Sequence, residues 1–162
     1  MTLGEAYDRF FAEHGLDPEA YAARRFRVPL GPITLVFPNP GQLPLHDLHH
    51  VALGAPPAFW GEVEVSALEL RAGPPNMMIA ILCAGALALG ALRGPRRTWS
   101  WWRRYRNCSS LYGRDREALL GLELEAVRTS MGLGAVTPPA CSPSSQRLGR
   151  SATEANPEGR RR

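Results

Sequence analysis

Proline and glycine set the limits on what this chain can build. Pro29, Pro32, Pro38, Pro40 and Pro44 fall within one short stretch. A proline inside a helix removes a backbone donor and clashes with the preceding turn, so no long helix can cross residues 26–44. Further on, Gly54 with Pro56 and Pro57, and Gly73 with Pro74 and Pro75, close two more segments. Between these breaks the apolar residues recur at helical spacing. The chain must therefore fold as several short helices packed on one another, all-α in class, with about six to eight helices around one core.

Each segment can be read in turn. Thr2 can cap a first helix, with Glu5 three residues on in a capping-box relation. Leu3, Ala6, Tyr7, Phe10 and Phe11 form its apolar face, and Gly15 ends it. Asp17 and Pro18 open a short helix to about Arg25. Residues 26–44 read as an ordered loop lying across the domain, with Ile33–Phe37 as a brief extended piece. Helical spacing returns from Leu45 through Leu48, Val51 and Ala52, and stops at Gly54. The next helix starts near Phe59 and runs to about Arg71, with Val63, Ala67 and Leu70 inward. Asp115 can cap a later helix, and Leu122 to Met131 forms the last. Residues 1–133 make the folded unit. Residues 134–162, rich in Pro, Ser, Arg and Gly, have too few large apolar side chains to pack and read as a disordered tail.

Met77 to Leu92 is the most apolar run, sixteen residues without a charge. A membrane span needs about 20 residues, so the reading is a buried central helix, with Gly85 and Gly90 permitting close approach. The segment after it carries Arg93, Arg96, Arg97, Arg103, Arg104 and Arg106 around Trp99, Trp101 and Trp102. That mixture suits either a lipid headgroup region or ordinary helix packing.

Charge and cysteine narrow the setting. All 19 basic residues are Arg and the net charge is +4. Such an Arg-for-Lys bias follows from base composition alone, so no nucleic-acid partner is expected. Cys83, Cys108 and Cys141 are odd in number and lack CxxC spacing, which argues for a reducing compartment rather than a disulfide framework. Met1–Phe10 contains Glu5 and Asp8 and shows no secretory pattern.

Three of the four histidines lie within five residues, as His46, His49 and His50. His46 and His50 are four apart, one turn on the same helix face, so both imidazoles can reach one ion. Asp47 lies about 100° round the helix. It could ligate only from the helix edge, or orient a histidine. His49 is turned further away and reads as a hydrogen-bonding neighbour. Glu62 follows the Gly54–Pro57 turn on the next helix, where an antiparallel return brings it back to the histidine pair. Two imidazoles with one or two carboxylates suit Zn, Fe(II) or Mn better than Ca or Mg. Each residue taken singly could equally be an ordinary surface group; Glu62, Glu64 and Glu69 could all be solvated carboxylates. An HD-type phosphohydrolase, with His14, His46–Asp47 and Asp115 as scattered ligands, is an alternative that leaves Glu62 idle.

The motif H-D-x-x-H-x11-E, spelled by HDLHH at His46–His50 and by Glu62, resembles the hallmark of the ubiquinone (coenzyme Q) biosynthesis C1-decarboxylase family. The flanking NPGQLPLHDLHHVALG and GEVEVSALEL, and the later RNCSSLYGRDREALLGLELEAVR, are similar to bacterial members over about residues 1–133. The resemblance implies one divalent ion, zinc first and iron or manganese next, held by His46, Asp47, His50 and Glu62. It implies oxidative removal of the C1 carboxyl from a polyprenylated ring precursor, or a non-catalytic isoprenoid-binding scaffold for the biosynthetic complex. It further implies a homodimer in the cytoplasm, peripheral on the inner face of the plasma membrane, with other quinone-biosynthesis enzymes as partners. Met77, Met78, Ile81, Leu82 and Gly85 would line the lipid groove. The resemblance does not identify a general base; the residues offer His49 and Glu64.

Overall fold

In the computed structural model, residues 1–16, 26–30, 33–37 and 43–134 are described, with backbone alone for 26–30, 33–37 and Leu43. The expected helix at 17–25 and the tail at 135–162 lie outside the described residues. Seven helices are present among them: α1 (Leu3–Glu13), α2 (Leu43–Leu53), α3 (Phe59–Ala72), α4 (Met77–Arg93), α5 (Pro95–Arg104), α6 (Arg116–Leu120) and α7 (Leu124–Ser130). The all-α class holds, with one addition. Strands β1 (Phe26–Leu30) and β2 (Ile33–Phe37) pair antiparallel, from Phe26 opposite Phe37 to Leu30 opposite Ile33. The sequence reading made 26–44 an ordered loop with Ile33–Phe37 extended; β2 matches that extended piece, and β1 is the strand it did not give. Proline forbids a helix there but is tolerated where a strand is an edge, and both strands of a two-stranded ribbon are edges. Their β-branched and aromatic residues favour extended backbone.

The helix ends follow local chemistry. Thr2 Oγ1 accepts from Glu5 N (3.2 Å) and Glu5 Oε2 accepts from Thr2 N (2.8 Å), completing the capping box. The Asn76 side chain accepts from Ile79 N to start α4, and the Asp115 side chain accepts from Glu117 N to start α6. α2 begins two residues before the expected Leu45, because Pro44 sits in its first turn, where no intrahelical donor is needed. Pro95 opens α5 in the same way.

α3 is the central helix. It packs on α2 on one side and on α4 and α5 on the other, while α1 lies against α2, α6 and α7. Val63, Val65, Ser66, Ala67, Leu68 and even Glu69 are buried along it. The core joins Leu3, Tyr7 and Phe11 of α1 to Leu48, Val63, Leu68, Trp101, Tyr105, Leu111, Val127 and Met131. The chain start is tied to the α6–α7 turn by Leu3 N to Leu122 O (2.8 Å) and Leu124 N to Met1 O (3.1 Å). Arg128 Nε donates to Ala52 O (2.7 Å), which satisfies a carbonyl at the end of α2.

The Met77–Leu92 run is not the buried centre that its composition suggested. In α4 only Ile79, Cys83 and Gly90 are buried. Met77 is 75% exposed, Ile81 64% and Leu92 83%. The helix lies at the side of the domain and no described element covers its outer face. Gly90 does permit close approach, since a Cβ there would meet Val63 Cγ1 at 2.5 Å, but around Gly85 there is nothing within 4 Å. The arginine–tryptophan segment divides its roles. Trp101 is in the core, and Arg97 stacks over both Trp60 (4.8 Å) and Trp101 (4.7 Å). Trp99 is 60% exposed. No described helix is long and apolar enough to cross a membrane.

The link between α2 and α3 is close-packed. A Cβ built on Gly61 would lie 1.8 Å from Pro56 O, a backbone atom that cannot swing away. Gly61→Ala is therefore expected to destabilise at or above the upper end of the about 1–3 kcal/mol typical of overpacking. Chemical denaturation of the variant checks this, and a midpoint equal to the parent's would show that the turn relaxes freely.

Candidate metal centre

The site is built where α2 and α3 face each other across that turn. His46 and His50 sit on one face of α2, and Glu62 sits in the first turn of α3. The turn itself holds the second histidine. Ala55 N donates to His50 O (3.0 Å), and Ala55 O lies 3.1 Å from His50 Nδ1. Gly54 makes this reversal possible with φ +66°, a conformation side chains other than glycine adopt with difficulty.

Hydrogen-bond partners determine which ring nitrogen carries each proton. A carbonyl accepts, so His50 Nδ1 is the donor toward Ala55 O and its Nε2 is left facing inward. Glu69 Oε1 lies 2.9 Å from His46 Nδ1, which makes that nitrogen a donor too. The two Nε2 atoms then point at each other, 3.3 Å apart. Glu62 meets them both: Oε2 is 3.3 Å from His46 Nε2 and Oε1 is 3.3 Å from His50 Nε2. Two lone pairs and a carboxylate converging this closely need a cation among them, either a proton or a metal.

His46, His50 and Glu62 form a group that could hold a metal ion, each offering one ligand atom, with these atoms all within 4.8 Å of one another. The donor set passes a simple test of fit. Ligand bonds of about 2.0–2.1 Å in a tetrahedral site give edges of about 3.3–3.4 Å between ligands; the two Nε2 atoms match this at 3.3 Å, and Glu62 reaches each of them at 3.3 Å with a different oxygen, Oε2 toward His46 and Oε1 toward His50. Three protein ligands leave one corner for water or substrate. His50 is buried and Glu62 is 44% exposed, so the open side lies toward Glu62.

The electrostatics agree with a cation. Burial opposes charge on His46, but the hydrogen bonds and charges of Glu62 and Glu69 outweigh it and raise its pKa to about 10. Burial likewise works against ionised Glu62, yet its hydrogen bonds to His46 and His50 hold it down to about 2. Without a metal, His46 thus carries the positive charge that the carboxylates require.

Asp47 lies outside the group of three. Burial pushes its carboxyl up to about 6, against the pull of His46 and His50. An acid whose pKa is raised on folding penalises the fold above that pKa and not below the unfolded value. Asp47→Asn is therefore expected to raise the Tm of the metal-free protein by a few degrees at pH 8, with the gain shrinking toward pH 4. An equal gain at both pH values, read by a thermal melt, would contradict the assignment.

The remaining sequence candidates are placed as follows. His49 is fully buried; its Nε2 accepts from Leu111 N (2.9 Å), so its Nδ1 donates to Glu69 Oε1 (2.8 Å). Both nitrogens are occupied and the ring has no free base. Glu64 accepts from Tyr105 OH (2.5 Å) and projects from α3 away from Glu62. Neither general-base candidate faces the triad with a free atom. His14 Nδ1 bonds Phe10 O and Asp115 caps α6, so neither joins the group that a phosphohydrolase would need. Of the groove candidates, Met77, Ile81, Leu82 and Gly85 are exposed on α4 and Met78 is half-buried, while Cys83 faces α3.

Sequence reasoning missed Glu69. The sequence offers it only as one of three carboxylates that could be solvated, yet it is fully buried and touches His46, His49, Tyr112 and Cys83. A signal was present: Glu69 is seven residues after Glu62, two turns on, and so shares its face of α3.

No family model matches the chain, and no curated protein matches it. The family resemblance thus rests on the motif, and the site rests on its own geometry.

Proposed function

We propose that this protein is a metal-dependent enzyme of quinone biosynthesis that acts on a polyprenylated aromatic acid. The C1 carboxyl leaves as CO2 and a hydroxyl derived from water takes its place, while dioxygen accepts the two electrons and two protons released and leaves as hydrogen peroxide. The observation that carries this reading is the convergence of His46 Nε2, His50 Nε2 and Glu62 within the H-D-x-x-H-x11-E spacing. Zinc is the first choice for this donor set, with iron or manganese next. Asp47 would complete the set from the helix edge or support it from outside. A bound divalent ion supplies Lewis-acid polarisation of a carboxylate or phenolic oxygen. The chain's own residues would orient that ion, aim the Nε2 atoms of His46 and His50 toward it and leave the Glu62 side open.

The outer surface supports a membrane-bound setting. α4 exposes Met77, Ile81, Leu89 and Leu92, and next to them α5 exposes Trp99 and carries Arg96, Arg97, Arg103 and Arg104 with no acidic residue. A cleft of about 560 Å³, lined by Leu87, Ala88, Ala91, Trp99 and Trp102, joins the two helices. Apolar side chains beside arginine and tryptophan match the acyl boundary and headgroups of an anionic bilayer. We assign this face to peripheral contact with a membrane, where a prenylated substrate resides. A second copy of the chain and other enzymes of the same route are the protein partners this reading implies.

The same apolar face favours the second reading, an isoprenoid-binding scaffold without catalysis. Incubating metal-loaded protein with a polyprenylated hydroxybenzoate under air separates the two. Mass spectrometry should find product that has lost CO2 and gained one oxygen. Absence of turnover, with isoprenoid copurifying and retained after metal removal, would replace the enzyme by the scaffold.

A further inference from the structure

Glu69 has no part in the motif, yet more of the site converges on it than on any ligand. Its side chain is fully buried on α3. Oε1 accepts from His46 Nδ1 (2.9 Å), His49 Nδ1 (2.8 Å) and Tyr112 OH (2.7 Å), while Oε2 accepts from the Cys83 thiol (3.2 Å). These four donors come from α2, from the segment after α5 and from α4. Among the described residues its ion pairs are to His46 and His49 alone, with no arginine. A carboxylate removed from water is strongly unfavourable unless it is paired and its hydrogen bonds are complete. Here they are complete, and one of them ends on a ring whose other nitrogen belongs to the triad.

We propose that Glu69 is the positioning residue of the metal centre, acting through His46. Resting on the metal-site reading above, this inference concerns how one ligand is aimed. A neutral imidazole carries one proton. The carboxylate, which only accepts, keeps that proton on Nδ1 and presents the Nε2 lone pair to Glu62 and His50. Outer carboxylates commonly set the tautomer and rotation of a ligating histidine in this way. His49 and Tyr112 hold the carboxylate in turn. His49 is fixed by the Leu111 amide (2.9 Å). Its place beside two ligating histidines is thus explained: it anchors the carboxylate and leaves ligation to its neighbours.

Glu69→Gln tests the assignment. The amide carries no charge and has one acceptor oxygen where the carboxylate has two, so it holds the Nδ1 proton and the ring orientation of His46 less firmly. Full-length protein is titrated with Co(II) against a chromophoric chelator, and the visible d–d spectrum of the complex is recorded beside a thermal melt of the metal-free chain. The parent should bind one Co(II). Folded Glu69→Gln should bind about 10–100-fold more weakly, with shifted d–d bands, a change that loss of packing alone does not produce. Unchanged affinity and bands in folded Glu69→Gln would overturn the positioning role and leave the triad standing. Failure of the parent to bind would overturn the metal reading and this role with it. Should Glu69→Gln not fold, Tyr112→Phe decides the matter, since it removes one donor from Oε1 and no ligand. Shifted bands there support the role, and parental bands reject it.

Discussion

Glu62→Ala is expected to abolish stoichiometric zinc binding while the helical fold persists. Glu62 supplies the sole carboxylate of the three converging groups, and its side chain is 44% exposed, so little packing is lost with it. The two imidazoles that remain would face each other at 3.3 Å without an anion to balance a dication. The loss should exceed the about 10–100-fold typical of an outer-shell partner. Elemental analysis after dialysis reads the stoichiometry, and circular dichroism reads the fold. Retained equimolar zinc in a folded variant would refute the site. The parent's affinity should also depend on pH with a definite sign. His46 holds a proton up to about pH 10 when no metal is present, and an ion must displace it. Binding should therefore release a proton and weaken about tenfold for each unit the pH falls through the neutral range. In the metal-free chain the same ion pairs stabilise the fold fully below the ordinary histidine value of 6.5 and lose that contribution as pH rises through about 10.

The second large effect should come from the exposed face of α4. Ile81→Glu combined with Leu92→Glu is expected to abolish binding to vesicles containing anionic lipid, with zinc content unchanged. Both side chains are mostly exposed, at 64% and 83%, so the substitutions leave the core intact. Insertion gains about 0.8 kcal/mol per buried CH2, and each arginine near an anionic surface adds about 1 kcal/mol. Replacing two apolar side chains with carboxylates removes the first contribution and opposes the second. Flotation with phosphatidylglycerol vesicles measures the outcome. Binding by the parent should also fall between 0.1 and 1 M salt, as the screening length shrinks from about 10 to 3 Å. Equal flotation of variant and parent would remove this face from membrane contact. The metal result and the vesicle result are independent, because Cys83 marks the inner side of α4 and Ile81 its outer side.

Much of the helical layout could be read locally. Thr2 with Glu5, Asp115 and the Gly–Pro breaks act within a few residues of themselves, so their spacing alone located the helices. The pairing of His46 with His50 follows from 3.6 residues per turn, and the return of Glu62 follows from a short turn after Gly54. The sequence could not say which face of a uniformly apolar helix would be covered. Met77–Leu92 has no polar side by which to orient it, and only the docking of α3 and α5 along Ile79, Cys83 and Gly90 decided that its outer face stays open. For the same reason Glu69 could not be told from a surface glutamate. Its burial depends on Tyr112 arriving from 43 residues away and His49 from 20. Short-range geometry placed the ligands on the chain, whereas long-range packing decided which carboxylate meets solvent and which is held inside to aim a histidine.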